Sequence, residues 1–176
     1  LSREDLIYQG NADPYLYGGL QNTFYIHGFK LGVYFAYSLG GKIYNYSEIY
    51  MAGSQFANQY RYMLNAWHPV RNPNSDIPRA GAKSDAALPS DFMIHDASYL
   101  RLKNVTLSYT FDLKKKCSWM QDLTLSVSGE NLFLWKKYNG FDPDVSSEGT
   151  SSTLRRMDLG AYPKPRTIIF SLQLRY

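Results

Sequence analysis

The chain has 176 residues, room for one ordinary domain, with 19 Lys and Arg against 15 Asp and Glu and a formal net charge of +4. No run approaches the roughly 18 uninterrupted apolar residues of a transmembrane helix, so a helical membrane protein is excluded. A mean hydropathy of −0.38 leaves a β-barrel open, because lipid-facing and lumen-facing residues alternate along its strands and cancel in the average.

Aromatic residues make up 16% of the chain, with 16 Tyr, nine Phe and three Trp. Tyr couples an apolar ring to a polar tip and suits a membrane–water interface. A Tyr-rich soluble β-sandwich would have the same composition. The cations are scattered except at Lys114, Lys115 and Lys116, which read as a solvated turn, so no nucleic-acid partner is expected. The single cysteine, Cys117, excludes an internal disulfide and reads as incidental to that turn. Leu1 to Asp5 has neither the basic start nor the apolar stretch of a signal peptide, so an export address is expected on a part missing here.

Five segments alternate with a period of two. In the first, Leu20, Phe24 and Ile26 oppose Gln21, Thr23, Tyr25 and His27, with Asn22 interrupting the apolar face. The second, Phe29 to Leu39, places Phe29, Leu31, Val33, Phe35, Tyr37 and Leu39 on one face, and its 11 residues match a tilted membrane-crossing strand. His27-Gly28 reads as the tight hairpin between them. A long irregular region follows, from about Gly40 to Ala97. It contains one expected helix, with Phe56, Tyr60, Leu64 and Trp67 at helical spacing, Ser54 as N-cap and Pro69 beyond the end.

The third strand, Tyr99 to Phe111, is imperfect. Val105, Leu107, Tyr109 and Phe111 share one parity, Leu100 and Leu102 have the other, and Arg101 and Lys103 sit in phase with the apolar set. Of a bulge and an upper half standing above the lipid, the second is the preferred reading. After a short connection from Asp112 to Asp122, Leu123, Leu125, Val127, Phe133 and Trp135 face away from Thr124, Ser126, Ser128 and Glu130. A loop of Gly, Ser, Asp and Pro leads from about Lys136 to Lys164. The last strand sets Ile168, Phe170, Leu172, Leu174 and Tyr176 against Thr167, Ser171, Gln173 and Arg175, with Ile169 the exception. Connections alternate between short and long, as periplasmic turns and extracellular loops do, which puts the C-terminus on the periplasmic side.

Several stretches, in order, resemble the C-terminal region of SusC/RagA-family TonB-linked outer-membrane proteins of Bacteroidota. They are Gly10 to Pro14, Gly19 to Phe24, Gly28 to Leu31, Gly41 to Asn45, Asp76 to Arg79, Ala97 to Phe111, Gly129 to Phe133, Tyr138 to Pro143 and Tyr162 to Thr167. The resemblance implies an all-β fold: an antiparallel transmembrane β-barrel of 22 strands around a plug, of which this chain is about the last five strands, with long extracellular loops. It also implies a nutrient importer in the cell outer membrane, drawing oligosaccharides or peptides inward with a SusD-like surface lipoprotein and the TonB complex. The plug, the TonB-contacting segment and the signal peptide have no counterpart here, so residues 1–176 are expected to be the C-terminal part of a longer transporter. Phe170, Leu172, Leu174 and Tyr176 form the outer-membrane signature at the chain end.

No catalytic residue, cofactor or metal is expected. Asp142, Asp144 and Glu148 do not complete a calcium loop and read as turn residues. His27, His68 and His95 lack paired zinc spacing. Gly149-Thr150-Ser151-Ser152 lacks a nucleophile elbow. Trp67, Tyr138 and Phe141 fall in the expected extracellular loops, where they either stack on substrate, touch the lipoprotein, or pack the loops together. Glu130 falls on the lumen face, toward the plug. The alternative function is a soluble carbohydrate-binding β-sandwich, in which the even-numbered residues from Ile168 onward would be covered by a second sheet.

Overall fold

The computed structural model of the chain describes residues 6–52, 58–79, 90–114, 119–147 and 155–176. The chain divides into two units: Tyr15–Leu39, Ser98–Lys136 and Pro163–Tyr176 form a sheet unit, and Leu1–Pro14, Gly40–Ala97 and Lys137–Tyr162 a loop unit.

The sheet unit consists of β1 (Leu16–Ile26), β2 (Phe29–Leu39), β5 (Tyr99–Asp112), β6 (Asp122–Lys136) and β8 (Thr167–Arg175), in the order β1-β2-β5-β6-β8 with every neighbour antiparallel. These are the five strands that alternation predicts. The β1–β2 turn is the two-residue hairpin expected: His27 and Gly28 both have positive φ, 46° and 86°, the geometry that matches strand twist. At the other short turn the ladder continues through Leu113 N–H to the Gln121 carbonyl at 2.9 Å, and Lys114 N–H bonds Asp112 Oδ1 at 3.1 Å. Lys115, Lys116 and Cys117 lie outside the described residues.

The irregularity in β5 is a bulge, which corrects the preference for an upper half standing above the lipid. Tyr34 pairs with Asn104 and Phe35 with Leu102, so Lys103 has no partner on β2. On the other side Lys103 faces Asn131 and Leu132, since Asn104 pairs with Glu130 and Leu102 with Phe133. Asn131 takes the left-handed conformation (φ 52°) that a short polar side chain tolerates. One extra residue swaps the faces of everything beyond it. Leu100 and Leu102 thereby rejoin the face of Val105, Leu107, Tyr109 and Phe111, and Arg101 falls on the opposite face, paired with Ala36 and Leu134.

The loop unit corrects the reading of its two long connections as irregular. β3 (Lys42–Asn45) pairs antiparallel with β4 (Ile94–Asp96) and parallel with β7 (Met157–Asp158). These strands have four, three and two residues, too short for periodicity to register. A short α1 spans Ser47–Met51. The expected helix through Trp67 is absent among the described residues; Ser54 and Phe56 lie outside them. Tyr60 is extended, Arg61–Asn65 make a 3₁₀ turn, and Ala66 is extended again. The Trp67 N–H bonds the Ile77 carbonyl at 2.8 Å instead of continuing a helical ladder. Two small clusters form the core: Ile43, Ala97 and Tyr138 with Val145, and Ala52, Met63 and Ala66 with Tyr62, Ile77 and Phe92.

Candidate functional site

Register assigns each sheet residue to a face, because paired residues project to the same side. One face carries Leu20, Phe24 and Ile26 of β1; Phe29, Leu31, Val33, Phe35 and Tyr37 of β2; the six apolar residues of β5; Leu123, Leu125, Val127, Phe133 and Trp135 of β6; and Ile168, Phe170, Leu172 and Leu174 of β8. Much of it is open: Phe170 is 81% exposed, and Leu125, Leu172 and Leu107 are also exposed. In a sandwich this face would be a buried core. Aromatic rings gather at both ends of the band. Phe29, Tyr109 and Phe111 pack at centroid distances of 4.5 and 4.6 Å near the short turns, and Phe133 stacks on Trp135 at 5.9 Å near the other end.

The opposite face is hydroxyl-rich. Thr106 and Ser128 hydroxyls meet at 2.9 Å, as do those of Thr110 and Thr124, and the Thr106 hydroxyl donates to Asn104 Oδ1 at 3.0 Å. Glu130 lies on this face, opposite Asn104 and Thr167. Tyr34 reaches diagonally over Gly19, where a Cβ would come within 2.6 Å of its ring; the glycine leaves that space. Tyr176 follows the last residue of β8, and its carbonyl accepts a bond from Gln121 Nε2 at 3.4 Å.

In the loop unit the structure assembles a buried polar group that sequence reasoning missed. Glu48, 2% exposed, sits in the first turn of α1. Its Oε2 lies 2.7 Å from His95 Nε2 on β4, and its Oε1 accepts the Tyr62 hydroxyl at 3.3 Å. Beside it Tyr138 donates to Asp158 Oδ2 at 2.6 Å, and Asp158 Oδ1 accepts the backbone N–H groups of Gly160 and Ala161 at 2.9 and 3.0 Å. The His95 and Tyr138 rings are 5.7 Å apart. Burial, followed by the Glu48 charge and hydrogen bond, pushes the Tyr62 phenol well above its usual range. Burial and then the bond to Asp158 do the same to Tyr138. Both phenols therefore act as fixed donors to carboxylates. Tyr138 and His95 stand out in the sequence only singly, Glu48, Tyr62 and Asp158 not at all, and their convergence from separate segments gives no local signal.

The residues singled out in the sequence do not converge. Tyr138 is 2% exposed and holds the loop core, in keeping with the packing reading. Phe141 is 70% exposed and Trp67 39%, with the Trp67 indole N–H spent on the Pro73 carbonyl at 3.0 Å. Asp142 is buried and accepts the Asp144 N–H at 2.9 Å, a turn contact; Glu148 and Gly149-Thr150-Ser151-Ser152 lie outside the described residues. His95 and His68 are satisfied within the protein, and His27 occupies the hairpin turn. No group of three metal-ligating side chains occurs among the described residues.

No family model matches the chain. It is 33% identical over 174 residues to TonB-dependent receptor P3 of Formosa agariphila, an alignment covering 95% of this chain and 17% of that receptor. It is 30% identical over 183 residues to receptor P26 of the same organism, covering 100% and 18%. To the TonB-dependent receptor SusC of Bacteroides thetaiotaomicron it is 29% identical over 148 residues, covering 81% and 14%. The fold is similar to that of the RagAB peptide transporter, with a TM-score of 0.77 at 24% identity over 95% of this chain and 18% of the other. The chain thus spans 17–18% of the length of the two Formosa receptors. With relatedness running over the whole of its length, the chain belongs to the SusC/RagA family of TonB-dependent receptors.

Proposed function

We propose that the chain supplies about the last five strands in the wall of a 22-stranded outer-membrane barrel that imports oligosaccharides or peptides. The observation that carries this reading is the open apolar face of the sheet backed by a hydroxyl-rich one. The strands are long enough: the 11 residues of β2, at about 3.3 Å each and tilted by about 45°, rise about 26 Å, near the height of a barrel's apolar band. The edges β1 and β8 need partners, since unpaired backbone groups are not tolerated in lipid. Further strands of a longer protein would provide them, in keeping with the share of its relatives that the chain spans.

In this arrangement the turns at His27-Gly28 and at Asp112 to Asp122, and the C-terminus, face the periplasm. The long connections carrying the loop unit face outward. The hydroxyl-rich face with Glu130 lines the lumen against a plug. A SusD-like lipoprotein caps the outer side, TonB drives import through an N-terminal part, and exposed Phe141 and Trp67 are available to substrate or lipoprotein. The work is transport and not catalysis.

Orientation is tested on intact cells expressing the full-length receptor with Cys117→Ser as background. A membrane-impermeant maleimide should label Phe141→Cys directly, and His27→Cys only after the outer membrane is permeabilised. The reverse order would overturn the orientation.

A further inference from the structure

We propose that the apolar face next to the short turns holds one acyl chain of a membrane phospholipid in a fixed groove, with the lipid headgroup over the cationic turn that begins at Lys114. The inference rests on the transporter reading and names a ligand for one stretch of its lipid-facing wall. The groove has a volume of about 430 Å³. Phe29 and Tyr109 wall it on one side and Phe170 on the other, and Leu107, Leu125 and Val127 form its floor.

The groove follows from side-chain size along two neighbouring rungs of the sheet. Phe29, Tyr109 and Leu125 share one rung, and Leu107, Val127 and Phe170 the next. Phe29 and Tyr109 pack at 4.5 Å, and the Tyr109 ring leans over Gly28, where a Cβ would come within 3.0 Å of it. That lean carries the phenol toward the hairpin turn and away from the floor. Phe170 stands proud at 81% exposed, while the shorter Val127 beside it is half-buried. From β2 to β8 the groove crosses three strand gaps, about 14 Å at about 4.8 Å each.

The lining defines what fits. Ser108 and Ser126 also border the groove, but their side chains project to the opposite face and their strands are paired on both sides. A sugar or peptide would bury polar groups there with almost nothing to bond. A methylene chain needs no such partner. It also bends to follow the groove, whereas the flat wall of a second barrel would ride on Phe170 and leave the floor without dispersion contacts. Depth and charge select the lipid. Tyr109 lies three residues before the end of β5 and Leu125 three after the start of β6, about 7 Å from the strand ends at a tilt of about 45°. That level is hydrocarbon just inside the interface. The turn beyond it carries Lys114, the first of three consecutive lysines, and Trp119, 70% exposed, while Asp122 is paired with Arg175 at 3.4 Å. A cation and an indole at headgroup level suit a phosphate.

The test is photolabelling of the full-length receptor in vesicles of phosphatidylethanolamine and phosphatidylglycerol. A phosphatidylglycerol with a diazirine midway along one acyl chain is the label, and labelled residues are mapped by mass spectrometry. Labelling should concentrate on Leu107, Leu125 and Val127. At Leu125 and Val127 it should fall about fivefold in Leu107→Trp, which fills the floor, and by about the same factor in Lys114→Glu. Phe35→Trp, on the same face but outside the groove, should leave it unchanged. Even labelling along the apolar face, or labelling indifferent to Leu107→Trp or to Lys114→Glu, overturns the proposal. Protection of the groove in a receptor that runs as a dimer assigns it to a second copy and overturns it too, as does stronger labelling by a diazirine-bearing lipid A. A heat-modifiable gel shift verifies that each variant is folded, and Leu107→Phe serves where Leu107→Trp does not fold. Even labelling of a folded barrel sinks only this inference, whereas an apolar face that takes no label sinks the transporter reading with it.

Discussion

The sheet unit and the loop unit are stabilised by different means. In the sheet unit, backbone pairing fixes the register, and the side chains sort into an apolar row and a hydroxyl row along every strand. In the loop unit, the three strands total only nine residues. Two small apolar clusters and the Glu48–His95–Tyr62 and Tyr138–Asp158 contacts hold the segments together. The first kind of order is periodic and tolerates exchange within a face. The second is particular, and each buried carboxylate needs its own donors.

Insertion of one alanine between Leu102 and Lys103 attacks the sheet most severely. It would shift Tyr99 to Leu102 by one position against β2 and turn Leu100 and Leu102 onto the hydroxyl-rich face. The expected loss is roughly 3–6 kcal/mol, two large side chains at about 1.5–3 each, visible as a collapse in the folded fraction of full-length receptor on a heat-modifiable gel. Normal folding would show that register does not fix the faces of Tyr99 to Leu102. Next in size is Leu125→Arg, expected to cost about 2–4 kcal/mol as an arginine facing lipid. Ser126→Arg, one residue on and facing the other way, should be nearly neutral. Equal effects at the two positions would remove the distinction between faces.

For the loop unit, Tyr138→Phe should cost about 1–3 kcal/mol, because Asp158 Oδ2 loses its buried donor. Limited proteolysis should then nick the loops while the sheet stays folded. The smallest effect is on pH. The Tyr62 and Tyr138 phenols have folded pKa values raised above 10.0, so their contribution is complete below about pH 10 and is lost as pH rises further, where only the unfolded form ionises. Proteolytic nicking should therefore accelerate above pH 10 in the parent and less steeply in Tyr62→Phe/Tyr138→Phe. Identical slopes would show that these phenols carry no such linkage.

The same contrast explains what the sequence reveals. All five long strands, the His27-Gly28 turn and the assignment of Leu123 to Trp135 and Ile168 to Leu174 to one face are legible, because period-two alternation is a local property. The bulge at Lys103 shows only as a phase break, and its meaning depends on β2 and β6. The short strands β3, β4 and β7 leave no periodic trace, and the spacing of Tyr60, Leu64 and Trp67 imitates a helix that cross-loop hydrogen bonds replace. Tyr138 is visible as an aromatic in a loop, but its partner Asp158 lies 20 residues away, and Glu48 finds His95 across 47. Such pairings are properties of the folded loops and have no local pattern to betray them.

The central claim is that the apolar face of the sheet lies against lipid. Its most direct test is a nitroxide scan of Leu123 to Ser128 in the full-length receptor, reconstituted in bilayers, with oxygen and a water-soluble nickel complex as relaxants. The account predicts strict alternation, with positions 123, 125 and 127 accessible to oxygen and positions 124, 126 and 128 to nickel or to neither. Oxygen accessibility without a period of two, or the opposite phase, would contradict it.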